Sequence, residues 1–287
     1  MNVLEELGLP ALPEPLPRGI VDNHTHTSTT EHMSKLKPGE SLALAAQVNV
    51  THIVDVGYDV VSSRHALELA AAQPCVAAAV ALHPNDAAVI ATRDGDEPFE
   101  ATLAEIERMV PEATAVGETG LDYFRTRDDD GKRAQERSFR RHIQWAKQHD
   151  KTLVIHDREA HDDILRVLDD EGAPARTVMH CFSGDADFAT ACVERGFWLS
   201  YPGVVTFGSA PNLREAARVT PLEKILVETD APYLTPKPER GKPNAPYLIP
   251  HTVRFLADLL DVDLAEFCTQ VTENTWAAYG GRWGDDD

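Results

Sequence analysis

No apolar run in these 287 residues approaches the roughly 18 needed to span a bilayer, so no membrane-spanning helix is expected. Cysteine is scarce and scattered. Cys75, Cys181, Cys192 and Cys268 form no C-x-x-C pair, which argues against disulfide staples or thiolate zinc ligands and fits free thiols in a reducing cytosol. The start, Met1-Asn2-Val3-Leu4-Glu5-Glu6, lacks the basic segment of a secretory signal, so the expected location is cytoplasmic. Positive charge is in deficit, with a formal net charge of −20. That argues against a broad electrostatic grip on duplex nucleic acid, which normally needs a basic face. Bound cations and a few arginines can reverse the sign locally, so a nucleotide or a strand end is not excluded. No glycine-rich phosphate loop follows the first β-branched run, which counts against an open dinucleotide-binding sheet.

What is present describes a globular protein: 43% apolar and 26% charged residues, enough for a sizeable core. The length suits an α/β barrel of about 250 residues. Residues 1–18 carry Pro10, Pro13, Pro15 and Pro17 without clear periodicity and read as an irregular arm. Strand-length apolar runs then alternate with amphipathic stretches. The runs are Ile20 to Asn23, His52 to Gly57, Val76 to Leu82, Ala113 to Gly117, Thr152 to His156, Val178 to Cys181, Phe197 to Tyr201 and Ile225 to Thr229. Helical patterns occupy Ser41 to Val48, Arg64 to Ala72, Phe99 to Val110, Lys132 to Gln148, Glu159 to Glu171 and Ala186 to Arg195. Pro232 to Pro250, with six prolines, reads as a long loop, and two helices, Tyr247 to Leu260 and Leu264 to Tyr279, follow. The pattern predicts a (β/α)8 TIM barrel as a single domain over 19–281, with an acidic tail at 282–287. The run Asp128-Asp129-Asp130 reads as solvated charge.

In such barrels chemistry gathers at the C-terminal ends of strands. The first strand runs into Asp22-Asn23-His24-Thr25-His26, and strand alternation places Asp22, His24 and His26 on one side. The third strand ends in His83-Pro84, the fourth in Gly117-Glu118-Thr119-Gly120-Leu121-Asp122, and the fifth in His156-Asp157-Arg158. The sixth ends in His180-Cys181-Phe182-Ser183-Gly184 and the eighth in Glu228-Thr229-Asp230. A single histidine after a β-run is more often a bonded core residue than a ligand. Six such coincidences at one rim point instead to metal. His52, His65, His142, His149, His161 and His251 read as structural or solvated.

His24, His26, Glu118 and Asp230 can hold one cation, and His156 and His180 a second, with Glu118 bridging. Two cations about 3.5–4 Å apart suit phosphodiester hydrolysis, because they acidify a water and stabilise the attacking and leaving oxygens. Asp230 is placed to take that water's proton. The mixed imidazole and carboxylate set suits Zn, Mn or Mg about equally. A single structural ion, or a polar cluster with no ion, is the bland alternative. His83, Asp122, Arg125 and Arg158 lie where a phosphate would sit, and the arginines offer the planar fork that matches its oxygens. A surface salt bridge explains either arginine as well. Lys237, Arg240 and Lys242 form a basic island that either holds a strand over the rim or keeps the loop soluble. Phe182, Tyr123 and Tyr233 are candidates for stacking on bases.

At these residues the sequence resembles the TatD family of metal-dependent deoxyribonucleases. The matching pieces are Asp22-x-His24-x-His26, His83-Pro84, Gly117 to Tyr123, Ile155-His156, His180 to Gly184 and Glu228 to Leu234, in family order. The resemblance implies a TIM barrel with two divalent metals, ligated by His24, His26, Glu118, His156, His180 and Asp230. It also implies hydrolysis of DNA, often from the 3′ end, so the expected partner is single-stranded DNA or a strand end. Three departures stand out. Thr27-Ser28 replaces the family's Leu-Asp, with His32 nearby; Ala81 replaces a glycine; and Asn244-Ala245-Pro246 replaces Asn-Glu-Pro. Two rival readings remain: a small-molecule amidohydrolase or lactonase on the same barrel, and a metal-binding scaffold without catalysis.

Overall fold

The computed structural model describes residues 3–284. Eight strands form one sheet in sequence order: β1 (Ile20–Thr25), β2 (Val50–Val56), β3 (Val76–Val80), β4 (Ala115–Asp122), β5 (Thr152–Arg158), β6 (Thr177–Met179), β7 (Trp198–Tyr201) and β8 (Ile225–Val227). The pairings β1–β2, β3–β4, β4–β5, β5–β6 and β7–β8 are parallel. The α-helices are α1 (Val3–Leu7), α2 (Thr27–Ser34), α3 (Pro38–Gln47), α4 (Val60–Ala72), α5 (Pro84–Val89), α6 (Asp96–Met109) and α7 (Asp129–Gln148). They continue as α8 (His161–Glu171), α9 (Ala186–Glu194), α10 (Pro211–Val219), α11 (Ile249–Leu260) and α12 (Leu264–Ala278). This is the expected (β/α)8 barrel as a single domain. Every residue of β1, β3 and β4 is buried. The outer face of a barrel strand lies under the helices and its inner face fills the barrel, which is why, apart from the polar residues of β1 and β4, these stretches read as apolar or small residues without alternation.

Internal packing resolves the chain into two compact units: residues up to 55 with 184–193 and 199–277, and residues 56–183 with 194–198 and the chain from 278 on. In the first, β1 and β8 come together, and a parallel bridge joins Thr25 to Ala231 just beyond the end of β8. The N-terminal arm, expected to be irregular, begins with the short helix α1 and is pinned to α11 and its approach. The Tyr247 hydroxyl donates to the Pro10 carbonyl at 2.8 Å, and Arg254 donates to the carbonyls of Glu14 and Pro15 at 3.2 and 3.1 Å. Helix α2 has a composition, Thr-Ser-Thr-Thr-Glu-His-Met-Ser, that carries almost no apolar period, and its sequence therefore gave no helical signal. Helix α10, not among the expected helical stretches, starts with Pro211 in its first turn and buries Leu213, Ala216 and Ala217.

In the second unit the instructive difference is β4. Its register against β5 shifts between Val116 and Thr119, then resumes with Thr119 to Asp122 paired to Ile155 to Arg158. Glu118 and Asp122 therefore lie within the strand, not on a loop past its end. Gly120 permits this. Its φ is +137°, and a Cβ there would collide with the His156 carbonyl oxygen. Helix α7 starts earlier than its periodic pattern because Asp128 is its N-cap, accepting from the Gly131 N–H at 2.7 Å. Asp129 and Asp130 follow in the first turn, where the helix dipole favours them. The run Asp128-Asp129-Asp130 is exposed, as expected of solvated charge, and in addition starts a helix; the acidic residues 285–287 lie outside the described residues. None of the four cysteines forms a disulfide. No helix among the described residues is long and apolar enough to cross a membrane.

Candidate metal centre

In the first unit β1 delivers His24 and, one residue past its end, His26. Their Nε2 atoms stand 3.4 Å apart, with the rings edge to face. The carboxylate that joins them is Asp230: its Oδ1 lies 3.4 Å from His26 Nε2 and 3.9 Å from His24 Nε2. Two backbone bonds fix this arrangement, from Asp230 N–H to the His24 carbonyl and from His26 N–H to the Ala231 carbonyl, both 2.9 Å. Asp230 adopts a left-handed φ of 52°, a region that aspartate tolerates better than most residues.

Asp22 plays a different part from the one its place in the motif suggests. Its two oxygens accept from the Thr229 N–H at 2.9 Å and the Thr229 hydroxyl at 2.6 Å, 207 residues away in sequence. It clamps the strand carrying the histidines to the segment carrying Asp230. Burial pushes its carboxyl up to about 8, against the lowering effect of these bonds and of the His24 N–H. Asn23 adds a second tie, donating to the Ser200 hydroxyl and the Val227 carbonyl at 2.7 and 2.6 Å. Thr27, one of the departures, donates through its N–H and hydroxyl to buried Asp55 at 2.8 and 2.9 Å, which fixes the chain directly after His26. The loop beyond β8 lacks a glutamate after Asn244, yet Asn244 still anchors it by donating to the carbonyls of Thr229 and Tyr233 at 2.9 and 2.6 Å. His32 is exposed on α2 and belongs to none of the metal-competent groups among the described residues.

In the second unit Glu118 Oε2 lies 2.9 Å from His180 Nε2, 3.3 Å from His156 Nδ1 and 4.0 Å from His83 Nε2. Burial works to raise this carboxyl, but the charges on His180 and His83 and the bonds from His156 and His180 outweigh it and hold it well below the usual range. His156 reaches the other way as well, with Nε2 3.5 Å from Asp122 Oδ2. Burial would lower His156; the bonds to Asp122 and Glu118 win and raise it. Asp122 is held by its surroundings, accepting from Asn85 Nδ2 at 3.0 Å and from the Arg125 N–H at 2.8 Å. Buried Gln135 on α7 fixes its backbone, accepting from the Asp122 N–H at 2.9 Å and donating to the Asp122 carbonyl at 3.3 Å and the Thr126 hydroxyl at 2.8 Å.

Both groups fit a divalent cation. Ligand atoms about 2.1 Å from a tetrahedral ion sit about 3.4 Å from one another, which is the spacing within the His24, His26 and Asp230 set. Around Glu118, a buried carboxylate faced by imidazoles needs compensating positive charge, from ring protons or from a metal. His83, Glu118 and His156 bring one donor atom each to within 4.8 Å of one another. His83 is nonetheless set up as a hydrogen-bond donor: its Nδ1 accepts from the Asn85 N–H at 3.1 Å, so the neutral ring carries its proton on Nε2.

This chain belongs to the TatD related DNase family. The model of that family matches residues 21–280. The metal-dependent hydrolase TatD of Mycobacterium tuberculosis, itself described as uncharacterized, is 42% identical over 92% of this chain and 99% of its own length. The similarly described YabD of Bacillus subtilis is 34% identical, covering 89% of this chain and 96% of its own. Among solved structures, the TatD homologue YjjV of Escherichia coli aligns with a TM-score of 0.79 and 25% identity, over 92% of this chain and 98% of that one. The chain is thus a metal-dependent hydrolase of TatD type.

The residues expected at the substrate are divided. Arg125 and Arg158 are exposed and make no ion pair among the described residues, unlike most arginines of this acidic chain. Phe182 does not serve as a stacking surface, because it is buried at 2% exposure. Tyr123 is half-buried, with its hydroxyl on Asp163 at 2.8 Å and the Lys132 ammonium 4.5 Å from its ring centroid. Tyr233 is 48% exposed. In the basic loop Lys242 is paired with Glu239 at 2.6 Å, while Arg240 lies over the Phe207 ring. Asp22 was legible as part of the strand-one motif but not as a clamp on Thr229, 207 residues away, and Asn85 and Gln135, which hold Asp122, gave no separate signal. Phe124, next to Tyr123, is also exposed, at 44%, and nothing local in the sequence separates it from a packed aromatic.

Proposed function

We propose that the chain hydrolyses phosphodiester bonds of DNA, working from single-stranded ends in the 3′ to 5′ direction, with two divalent cations drawn from Zn, Mn and Mg. In this reading His24, His26 and Asp230 would hold one cation and His156 and His180 the other, with Glu118 common to both sets. The bound ions supply an acidified water and positive charge for the oxygens at phosphorus. The observation that carries the reading is the donor spacing within each group, with Asp230 Oδ1 3.4 Å from His26 Nε2 and Glu118 Oε2 2.9 Å from His180 Nε2.

The chain's own residues supply the rest. Asp230, with its side chain 14% exposed, reaches water and takes the proton released on attack. His83 presents Nε2–H, its other nitrogen being occupied by the Asn85 N–H, and donates it to a phosphate oxygen. Arg125 and Arg158 hold the neighbouring phosphates with planar bidentate donors. Asp122 orients His156 and keeps its ring from turning.

Elemental analysis joined to a nuclease assay on 5′-labelled single-stranded DNA tests the reading. The expected result is two divalent ions per chain, stepwise shortening from the 3′ end, and loss of cleavage with chelator. Glu118→Ala is expected to lose both ions, or the bridge is refuted. A protein that retains its ions, leaves DNA intact and opens lactones or cyclic amides instead is the rival amidohydrolase. Full metal content with no turnover on any of these substrates favours the scaffold.

A further inference from the structure

The loop leaving β4 carries Phe124, and its exposure is not a sign of looseness. Tyr123 N–H donates to the Arg158 carbonyl at 2.9 Å, Thr126 N–H to the Asp122 carbonyl at 3.2 Å, and Arg125 N–H to Asp122 Oδ1 at 2.8 Å. With Gln135 clamping Asp122 and Thr126 from below, the turn is fixed on both sides of the ring. Cations gather on that ring. The guanidinium carbon of Arg158 lies 3.9 Å from its centroid and that of Arg127 lies 5.5 Å away. Arg127 is also 3.4 Å from Glu159, whereas Arg125 and Arg158 have no carboxylate partner among the described residues. In a chain of net charge −20, a rigid exposed aromatic with one unneutralised guanidinium over its ring, and a second unneutralised arginine next to it in sequence, is an unusual grouping. It stands at the ends of the strands that carry Asp122 and His156.

We propose that Phe124, backed by Arg158 and flanked by Arg125, is the platform on which an unpaired base of the DNA substrate stacks while the guanidiniums hold the adjoining phosphates. This rests on the phosphodiesterase reading above and deepens it, because it makes the platform the feature that selects a single-stranded end. Stacking tolerates any base, since every base offers a π-face, and arginine against the ring adds a cation–π contribution. A paired terminus keeps its bases stacked on their neighbours and gives this contact up.

The test is binding of the metal-loaded protein to a labelled, phosphorothioate-linked oligothymidylate, read by fluorescence anisotropy. A second oligonucleotide of the same length and charge lacks the bases of its last three nucleotides. Phe124→Ala and Phe124→Leu are each expected to weaken the intact strand roughly tenfold. Both should leave the abasic strand bound as by wild type, and Phe124→Trp should restore intact-strand affinity. The thermal midpoint of each variant separates this from a folding defect, and the leucine variant keeps the bulk while removing the π-face. Equal weakening on both strands would assign Phe124 to loop packing and overturn the proposal. So would wild-type affinity for the intact strand in both variants. A wild-type protein that neither binds nor cleaves any DNA strand removes the phosphodiesterase reading itself; one that cleaves DNA indifferently to Phe124 removes only the platform.

Discussion

Replacing His142 by glutamine takes away a titrating group that the fold keeps neutral, and the consequence is readable against pH. His142 sits fully buried on α7. Its Nδ1–H donates to the Ser138 carbonyl at 2.8 Å, its Nε2 accepts from the Leu82 N–H at 3.1 Å, and its ring leans on Trp145 with centroids 4.5 Å apart. Burial pushes this imidazole down to about 4, outweighing the opposing bond to Ser138. In the unfolded chain the group titrates near 6.5, so between the two values the unfolded state binds the extra proton. Stability from His142 is therefore complete above about pH 7.5 and is lost as pH falls toward 4. Integrating that difference gives a loss of about 2 kcal/mol between pH 7 and pH 5, and about 3 kcal/mol by pH 4. Glutamine does not titrate, but its amide can still accept from Leu82 and donate to Ser138. At pH 7.5 His142→Gln is expected to cost about 1–2 kcal/mol through lost ring packing. The gap should close, and reverse in sign near pH 5, as wild type takes up its penalty. Urea unfolding of both proteins with chelator present, at half-unit pH steps from 8 to 4.5, measures the difference, and groups common to both cancel. A gap that stays constant across that range refutes the claim that His142 is held neutral.

Three further outcomes follow from other contacts. Gly120→Ala places a methyl against the His156 carbonyl at a positive φ, so β4 must withdraw from β5. The expected cost is about 3 kcal/mol or more, with lower metal content after dialysis, and an unchanged melting midpoint would contradict it. Gln135→Leu strands the Asp122 N–H and removes the amide donor from the Thr126 hydroxyl, while the Asp122 carbonyl keeps the Thr126 N–H. It is expected to cost about 3 kcal/mol and to loosen metal retention through Asp122 and His156; the same loss of stability with metal held as tightly as in wild type breaks that chain of support. Arg140 on α7 bonds Glu136, Asp170 and Glu171 with a side chain 28% exposed. Arg140→Ala is expected to cost about 1–2 kcal/mol at low salt and clearly less in 1 M NaCl, compared by urea midpoints.

Much of the barrel was legible because parallel strands covered on both faces are largely apolar up to their C-terminal ends, and amphipathic helices must separate them. The strand ends were less so. β4 runs on through Asp122 because Thr119 to Asp122 find partners on β5 after a register shift, and no local propensity encodes a partner strand. Helix α2 is similarly hidden: its first residue is held by Asp55, 28 residues downstream. Asp128 is solvated charge and a helix cap at once, and only the fold, which brings the Gly131 N–H onto its carboxylate, reveals the second role.

The sequence by itself determined the inventory: which imidazoles and carboxylates are available, and that they fall at the ends of successive strands. It did so because strand period and residue chemistry are local properties. Tertiary structure decided the partnerships. It gave His24 and His26 to Asp230 and turned Asp22 into a clamp on Thr229, and it buried Phe182 while leaving Phe124 in solvent. Those choices depend on which backbone groups meet across some two hundred residues of chain, and periodicity carries no information about distance through space.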